Sequence, residues 1–478
     1  MLVRALGVLL VATTASVLLV FAFRALPPLL APHGAARFEQ PGVVADGVHP
    51  PDQVDTAPPK EALDAMSEEL PRIVALAAGY GHTCVALRNG RAKCWGSNSR
   101  GELGIDPKTV RDVPYEPVAT GASPPPMCLG EGEGAVGFGI SRHTICVALA
   151  SGKVKCFGSS AAVVCGSDVA RDGPCSCRDA TVEPVDLGGE ESAVSIVAGA
   201  AHRCVLFARG RVKCWGANAF GQLGLGDERT RGDSRSTMGN NLPFVDLGTG
   251  RTARALSAGV AFTCALLDDG SVKCWGRGDR LGLGSKSNRG VAPGQMGDAL
   301  PPVDLGADGK AISIASGPVA TCAVLDTGQT KCWGSACGAM ASCEPDVAGD
   351  EPGEMGDALP PLALGTGVRV RRLAVGMANA CALLDDDSLK CWGRNVNGEL
   401  GLGDWRAHSC GGMGEALPPV DFGAGHTVRH VAVGFGYTCV VLDSDELKCW
   451  GWQGIASADA PWPDRFVPVR VPAVEVGD

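Results

Sequence analysis

An all-β fold, a seven-bladed β-propeller preceded by one N-terminal transmembrane or signal helix, is what this 478-residue chain predicts, and three observations carry the prediction. The first is a short unit, TCVALRNGRAKCWG from Thr83, that returns as TICVALASGKVKCFG from Thr144, RCVLFARGRVKCWG from Arg203, TCALLDDGSVKCWG from Thr263, TCAVLDTGQTKCWG from Thr321, ACALLDDDSLKCWG from Ala380 and TCVVLDSDELKCWG from Thr438. The second is the spacing: the first cysteines of successive copies stand 62, 58, 60, 58, 59 and 58 residues apart, a fixed period that marks a repeat architecture. The third is composition. Gly, at 67 residues, supplies tight turns, and aromatic residues are scarce at 5%, yet Trp follows the second cysteine in six of the seven copies and gives each unit one large apolar anchor.

Each copy alternates apolar and polar residues on both sides of a short polar centre, which is the signal of a β-hairpin. A three-residue turn centred on Asn89, with Gly90 in the left-handed position, sets Cys84 opposite Cys94. Facing residues of a non-hydrogen-bonded pair lie close enough for a disulfide. The same arithmetic pairs Cys146 with Cys156, Cys204 with Cys214, Cys264 with Cys274, Cys322 with Cys332, Cys381 with Cys391, and Cys439 with Cys449. Loop entropy assigns about 3 kcal/mol to each such staple, without simple additivity. Buried free thiols are the competing reading; zinc is not, because a ten-residue offset is not the close spacing of zinc knuckles. Cys337 and Cys343 enclose GAMAS and read as a further disulfide. Cys128, Cys165, Cys175 and Cys177 suffice for two loop disulfides, which leaves Cys410 over, and their pairing stays open. A metal site on Cys165, Cys175 and Cys177 lacks a nearby His to complete it.

Taken in order, residues 5–23 form an apolar run between Arg4 and Arg24, just long enough to cross a bilayer. No small-residue cleavage site follows it, which favours an uncleaved anchor over a cleaved signal. Residues 1–24 are therefore read as the anchor or signal helix. Residues 25–69, rich in Pro, Ala and acidic side chains, read as a linker that cannot bury enough apolar surface to fold alone. Residues 70–478 hold the repeats. A β-rich segment precedes the hairpins, as in IVALAAG from Ile73, VSIVAG from Val194 and RHVAVG from Arg429. A Gly-rich turn follows them, as in GQLGLGD from Gly221 and GELGLGD from Gly398. Then comes a proline-containing piece, as in VEPVDLG from Val182, LPPVDLG from Leu300 and FVPVRV from Phe466, suited to an edge strand because Pro lacks a ladder donor. About four short strands per repeat result, with the stapled pair as the inner hairpin. One such unit cannot bury its faces alone, and radial packing of the units makes a propeller; an open solenoid is the alternative.

The residues Gly79, His82, Cys94, Trp95, Gly96, Gly101, Leu103 and Gly104, and again Gly199, His202, Trp215, Gly216, Gly221, Gln222, Leu223, Gly224 and Gly226, follow a pattern that resembles the regulator-of-chromosome-condensation (RCC1-like) repeat over about residues 70–471. The resemblance implies a seven-bladed propeller. Repeats two and five lack most of the G-Q-L-G turn, and Phe157 replaces Trp in the second. For some relatives it also implies guanine-nucleotide exchange on a small GTPase, but no exchange motif carries over to residues of this chain.

A formal charge of −10 without a basic cluster argues against nucleic acid as a partner. The paired cysteines point to an oxidising compartment, hence to an exported propeller in the cell envelope, periplasmic or extracellular, or secreted. His82, His143 and His202 precede the first cysteine in three repeats, where Phe262, Ala320, Asn379 and Tyr437 stand in the others. These are too few for a ring of metal ligands and read as polar residues bonding local backbone. The GLGD turns at 224–227 and 401–404 lack the recurring acids of a calcium site. No nucleophile elbow, phosphate loop, zinc-protease helix or dinucleotide fingerprint is found. The expectation is a non-catalytic scaffold, with no catalytic, cofactor or metal residues, that meets the membrane through its N-terminal helix. It would bind an unidentified protein through face loops, the most unequal being 106–127, 159–180, 227–241 and 404–414. The alternatives are a GTPase exchange factor, a secreted inhibitor resembling the β-lactamase-inhibitory propellers, and a propeller lyase.

Overall fold

The computed structural model describes residues 73–105, 112–113, 124–158, 182–189, 191–307, 309–335, 347–409 and 412–452, all within the compact unit Met66–Asp478. The expected anchor, the linker, the piece from Phe466, and Cys165, Cys175, Cys177, Cys337, Cys343 and Cys410 lie outside these residues.

Among the described residues are seven antiparallel sheets. Blade 1 contains Ile73–Ala78, His82–Leu87 and Ala92–Ser97; blade 2, Ala135–Ile140, Thr144–Leu149 and Val154–Gly158; blade 3, Ala193–Ala198, His202–Phe207 and Val212–Gly216; blade 4, Ala253–Ala258, Phe262–Leu267 and Val272–Gly276. Blade 5 contains Ala311–Ser316, Ala320–Leu325 and Thr330–Ser335; blade 6, Val370–Val375, Asn379–Leu384 and Leu389–Gly393; blade 7, Val428–Val433, Tyr437–Leu442 and Leu447–Gly451.

The second and third strands are the cysteine hairpin. Gly90 takes φ 85°, Leu87 N–H bonds Arg91 O at 2.8 Å and Gly90 N–H bonds Leu87 O at 2.9 Å, so the loop is Arg88-Asn89-Gly90. In blades 6 and 7 the left-handed place is taken by Asp387 and Asp445. The register sets Cys84 against Cys94, and the two are disulfide-bonded with Cα atoms 4.1 Å apart. Disulfides join the corresponding pair in every other blade, at Cα separations of 4.0 to 4.1 Å. Cys128 is disulfide-bonded as well.

Two expectations need correction. The stapled hairpin is not innermost. Equivalent residues after the first strand of every blade, among them Gly79, Gly199, Gly317 and Gly434, line one shared cavity, so the first strand faces the axis and the hairpin forms the middle and outer strands. Small residues such as Ala78, Ala198 and Ser316 suit the crowded axis, whereas Trp needs the wider wedge between blades. Nor does each repeat supply four regular strands. Among the described residues a two-residue fourth strand pairs in blades 1 and 5, and in blades 3, 4 and 6 a single bridge stands there, Gly216 with Arg231, Gly276 with Arg289 and Gly393 with His408. The proline piece forms no ladder. It hangs from the outer strand by one bond, Val245 N–H to Val212 O at 2.9 Å or Val303 N–H to Val272 O at 2.7 Å, because its prolines remove the donors a ladder would use.

The middle strands are buried at every position, and the core lies between blades rather than within them. Trp275 of blade 4, for instance, packs in one cluster with Leu206 and Leu223 of the preceding repeat. The ring closes: Phe435 N–H bonds Gly79 O at 3.0 Å, and Tyr437, Cys439 and Val441 share a core cluster with Ile73 and Cys84. Closure rules out the open solenoid.

Candidate functional site

Two sets of turns crowd one end of the ring. The first set joins inner to middle strands and starts with Gly in six blades and Ser141 in blade 2. Glycine is required by what lies behind it: an added Cβ would stand 2.2 Å from the His202 ring at Gly199, 2.1 Å from Phe262 at Gly259 and 2.1 Å from Tyr437 at Gly434. The next residues, Tyr80, Ala200, Val260, Pro318, Met377 and Phe435, surround an axial cavity of about 150 Å³. Their counterpart in blade 2, Arg142, is exposed.

The second set follows the outer strands and is the N-x-x-G-Q/E-L-G sequence. Asn218 Oδ1 accepts from Leu223 N–H at 2.9 Å while its Nδ2 donates to Asp227 O at 2.6 Å; Asn395 does the same with Leu400 and Asp404, at 2.9 Å each. The turn then docks on the next blade. Gln222 O accepts from Trp275 Nε1 and Thr263 Oγ1, both at 3.0 Å, and Glu399 O accepts from Trp450 Nε1 at 3.1 Å and Thr438 Oγ1 at 2.8 Å.

Sequence reasoning missed one holding residue. Lys213 Nζ donates to Leu187 O at 2.6 Å and Gly239 O at 2.9 Å, and Lys273 and Lys390 make equivalent pairs of bonds. Each lysine ties the outer segment of the preceding blade to the loop after its own. The signal was available, since Lys stands before the second cysteine in all seven copies.

What these fixed turns present to solvent is apolar and basic. Phe220, Val396 and Trp452 are 37%, 51% and 47% exposed. Tyr80 stacks on Phe435 at 5.5 Å, and Trp452 meets Phe435 edge-on at 6.2 Å. Trp452, Phe435, Met377 and Arg394 border a groove of about 170 Å³ between blades 6 and 7. The described residues of both turn sets include Arg100, Arg142, Arg277, Arg280 and Arg394; Asp279 pairs with Arg277 and Arg280, and Asp227 and Asp404 stand where the Gly-rich turns end. The carboxylates Glu102 and Glu399 are buried at 1% exposure. Burial raises the Glu399 pKa against the opposing pull of backbone N–H groups and Arg394.

The opposite mouth differs. A β-bulge at the second residue of each inner strand leaves Val74, Val136, Val194 and Ile312 exposed. Arginine takes the same position in three blades: Arg371 and Arg429 are ion-paired with the hairpin-tip residues Asp387 and Asp445, and Arg254 is exposed.

The histidines do not form a set. His82 and His202 start middle strands and are buried, with His202 Nε2 2.9 Å from Thr263 Oγ1 of the next blade. Thr144, not His143, is their counterpart in blade 2, and His143 is half-exposed, 3.9 Å from Glu102. The described long loops do not project freely. Gly239 N–H bonds Asp186 O at 3.0 Å and Gly414 N–H bonds Ala363 O at 3.0 Å, so 227–241 and 412–414 clamp the rim to the preceding blade. Most of 106–127 and all of 159–180 lie outside the described residues. Among the described residues no group of three or more His, Cys, Asp or Glu is placed to hold a metal, and no helix is long and apolar enough to cross a membrane.

Seven stapled antiparallel sheets of three or four strands, closed by bonds from last to first and joined through Trp and a Gly-rich turn, define a repeat propeller. Residues 73–102, 193–222 and 253–280 match the Regulator of chromosome condensation (RCC1) repeat, so the chain carries RCC1-like repeats. It is 29% identical over 272 residues to the Ultraviolet-B receptor UVR8 of Arabidopsis thaliana, covering 54% of this chain and 53% of that protein. It is 27% identical over 266 residues to the mitochondrial RCC1 domain-containing protein RUG3 of the same plant, covering 55% and 54%. The chain thus spans about half the length of these curated relatives. In fold it is similar to yeast RCC1 (Prp20), whose structure was solved bound to Kap60, with a TM-score of 0.57, 19% identity, and coverage of 86% of this chain and 87% of that one.

Proposed function

We propose that this chain is a non-catalytic protein-binding propeller that works through the mouth ringed by Tyr80, Met377 and Phe435. The observation that carries this reading is the coincidence, on one rigid surface, of exposed Phe220, Val396 and Trp452 with exposed arginines. Aromatic and Arg side chains dominate binding energy at protein interfaces, and contiguous apolar surface on a folded domain marks a contact site. That a yeast propeller of the same fold was solved with a protein, Kap60, supports the same use. The domain plan 1–24 anchor, 25–69 linker and 70–478 propeller supplies its placement: an exported body tethered to a membrane or released from it. Seven disulfides suit that compartment and separate the chain from a cytosolic GTPase.

The test is site-directed photo-crosslinking in the cells that make the protein, with the crosslinker at Phe220 or, in a second version, at Val194 on the opposite mouth. A discrete protein adduct from Phe220 and none from Val194 is expected. Adducts confined to Val194 would remove the proposal.

A further inference from the structure

The mouth ringed by Tyr80, Met377 and Phe435 carries a cluster of arginines on an acidic molecule. The whole chain is formally −10, yet the turns around this mouth hold Arg100, Arg142, Arg277, Arg280 and Arg394, with Asp279 paired to Arg277 and Arg280 and Asp227 and Asp404 where the Gly-rich turns end. The two other carboxylates in those turns, Glu102 and Glu399, are turned inward and spent on backbone N–H groups, Glu102 on Arg100 N at 2.7 Å and Glu399 on Asn397 N at 2.6 Å. Arg277 and Arg280 pair with Asp279 and Arg394 lies near Glu399, so the basic excess at the surface rests on Arg100 and Arg142. Arg142 is exposed, and Arg394 keeps 53% of its side chain exposed although it lies 3.8 Å from Glu399.

The groove between blades 6 and 7 is lined by the polar Arg394, Asn379, Asn397 and Glu399 and by the apolar Met377, Phe435 and half-exposed Trp452. At about 170 Å³ it has room for one large side chain. A planar guanidinium on one wall and an aromatic floor on the other recognise two things at once: a carboxylate, through paired N–H donors, and an adjacent apolar side chain, through burial. A second copy presenting the same face does not fit, because two such faces would bring arginine against arginine. Nucleic acid meets the arginines but supplies no aliphatic anchor, and the rest of the molecule repels it.

We infer that this mouth binds an acidic protein segment, with one of its large apolar side chains seated against Phe435 and Trp452. The inference rests on the protein-binding role proposed above and names the chemistry of the partner. The segment lies across the mouth so that its carboxylates reach Arg142 on one side and Arg394 on the other.

Fluorescence anisotropy with the full chain and three short fluorescein-labelled peptides tests it. One peptide is Glu-rich with a central Leu-Phe pair, the second has Lys for every Glu, and the third is the acidic peptide with Gly-Gly in place of Leu-Phe. The acidic Leu-Phe peptide is expected to bind at least about tenfold more tightly than either other peptide, and to weaken as salt is raised. Arg142→Glu and Trp452→Ser should each weaken it about tenfold, whereas Val194→Ser on the opposite mouth should leave it unchanged. Arg142 makes no ion pair among the described residues and sits on the surface, so its variant keeps the test valid if Trp452→Ser misfolds. Equal affinity for the Lys peptide, or indifference to Arg142→Glu in a folded protein, overturns the inference. A crosslinked partner from Phe220 that is not acidic would also sink it while leaving the protein-binding reading intact; a partner found only at Val194 would sink both.

Discussion

His82 and His202 each open a middle strand and are almost completely shielded from solvent, at 2% and 0% exposure. Burial holds the His82 pKa down to about 4, with His143 adding to the effect and a Ser97 backbone bond opposing it. Burial, then the charge of Arg203, holds His202 at about 3 against a backbone bond from Phe262. Both rings are neutral in the folded protein at pH 7, whereas in the unfolded chain they take up protons near pH 6.5. Between those values the unfolded state binds more protons, so stability falls as pH is lowered from 6.5 towards 4. For His82 the loss amounts to about 3 kcal/mol when complete. Asn already occupies the same position in blade 6, at Asn379, which makes His82→Asn with His202→Asn a replacement the site tolerates. Urea midpoints measured from pH 7 to pH 4 should fall less steeply in that double variant than in the native chain; parallel slopes would show that other groups control the acid sensitivity.

The blade is where the sequence was most and least informative. The ten-residue offset between cysteines translates directly into facing positions because a hairpin is a local object, and Gly90 and Asp387 identify the turn that fixes it. The junction between blades was not legible, because it joins residues such as Gln222 and Trp275 that are 53 positions apart and share no local pattern. Gly224 shows what that junction demands. It has φ 68°, and an added Cβ would stand 2.8 Å from Trp275 Nε1 and 3.0 Å from the Met296 methyl. Gly226, two residues on, has φ 72° and nothing closer than 3.4 Å. Alanine at either position pays the left-handed penalty of about 1 kcal/mol, but only at Gly224 must the buried indole also move, for a total of about 3 kcal/mol. Gly224→Ala should therefore lower the denaturation midpoint well beyond Gly226→Ala, with a change in tryptophan emission confined to the former. Equal losses would mean that the indole is not clamped by this turn.

At the scale of the ring, the closing seam is bonded through Tyr437, at the position where His202 and Asn379 bond Thr263 and Thr438 of the next blade. The seam between blades 7 and 1 could not be read from the repeats, since Tyr437 replaces residues as different as Phe262 and Ala320. Two of the unequal loops, 227–241 and 404–414, are also held to the preceding blade, through Gly239 and Gly414. Tyr437 Oη donates to His82 O at 2.8 Å and accepts from Thr83 Oγ1 at 3.1 Å and Gly79 N–H at 3.2 Å. All three partners belong to blade 1, and Thr83 and His82 are buried. Tyr437→Phe fits the space, as Phe262 does in blade 4, but removes the hydroxyl that meets all three groups, while Gly79 N–H keeps its bond to His82 O at 3.0 Å. Losing these buried bonds costs about 1 kcal/mol. Because each blade rests only on its two neighbours, that loss should act as local opening of the ring rather than as uniform softening. Hydrogen exchange should accelerate at Ile73–Ala78 and Tyr437–Leu442 and stay unchanged in blades 3 to 5. Acceleration spread evenly over all blades would mean that the ring opens at no preferred seam and that Tyr437 is an ordinary interblade contact.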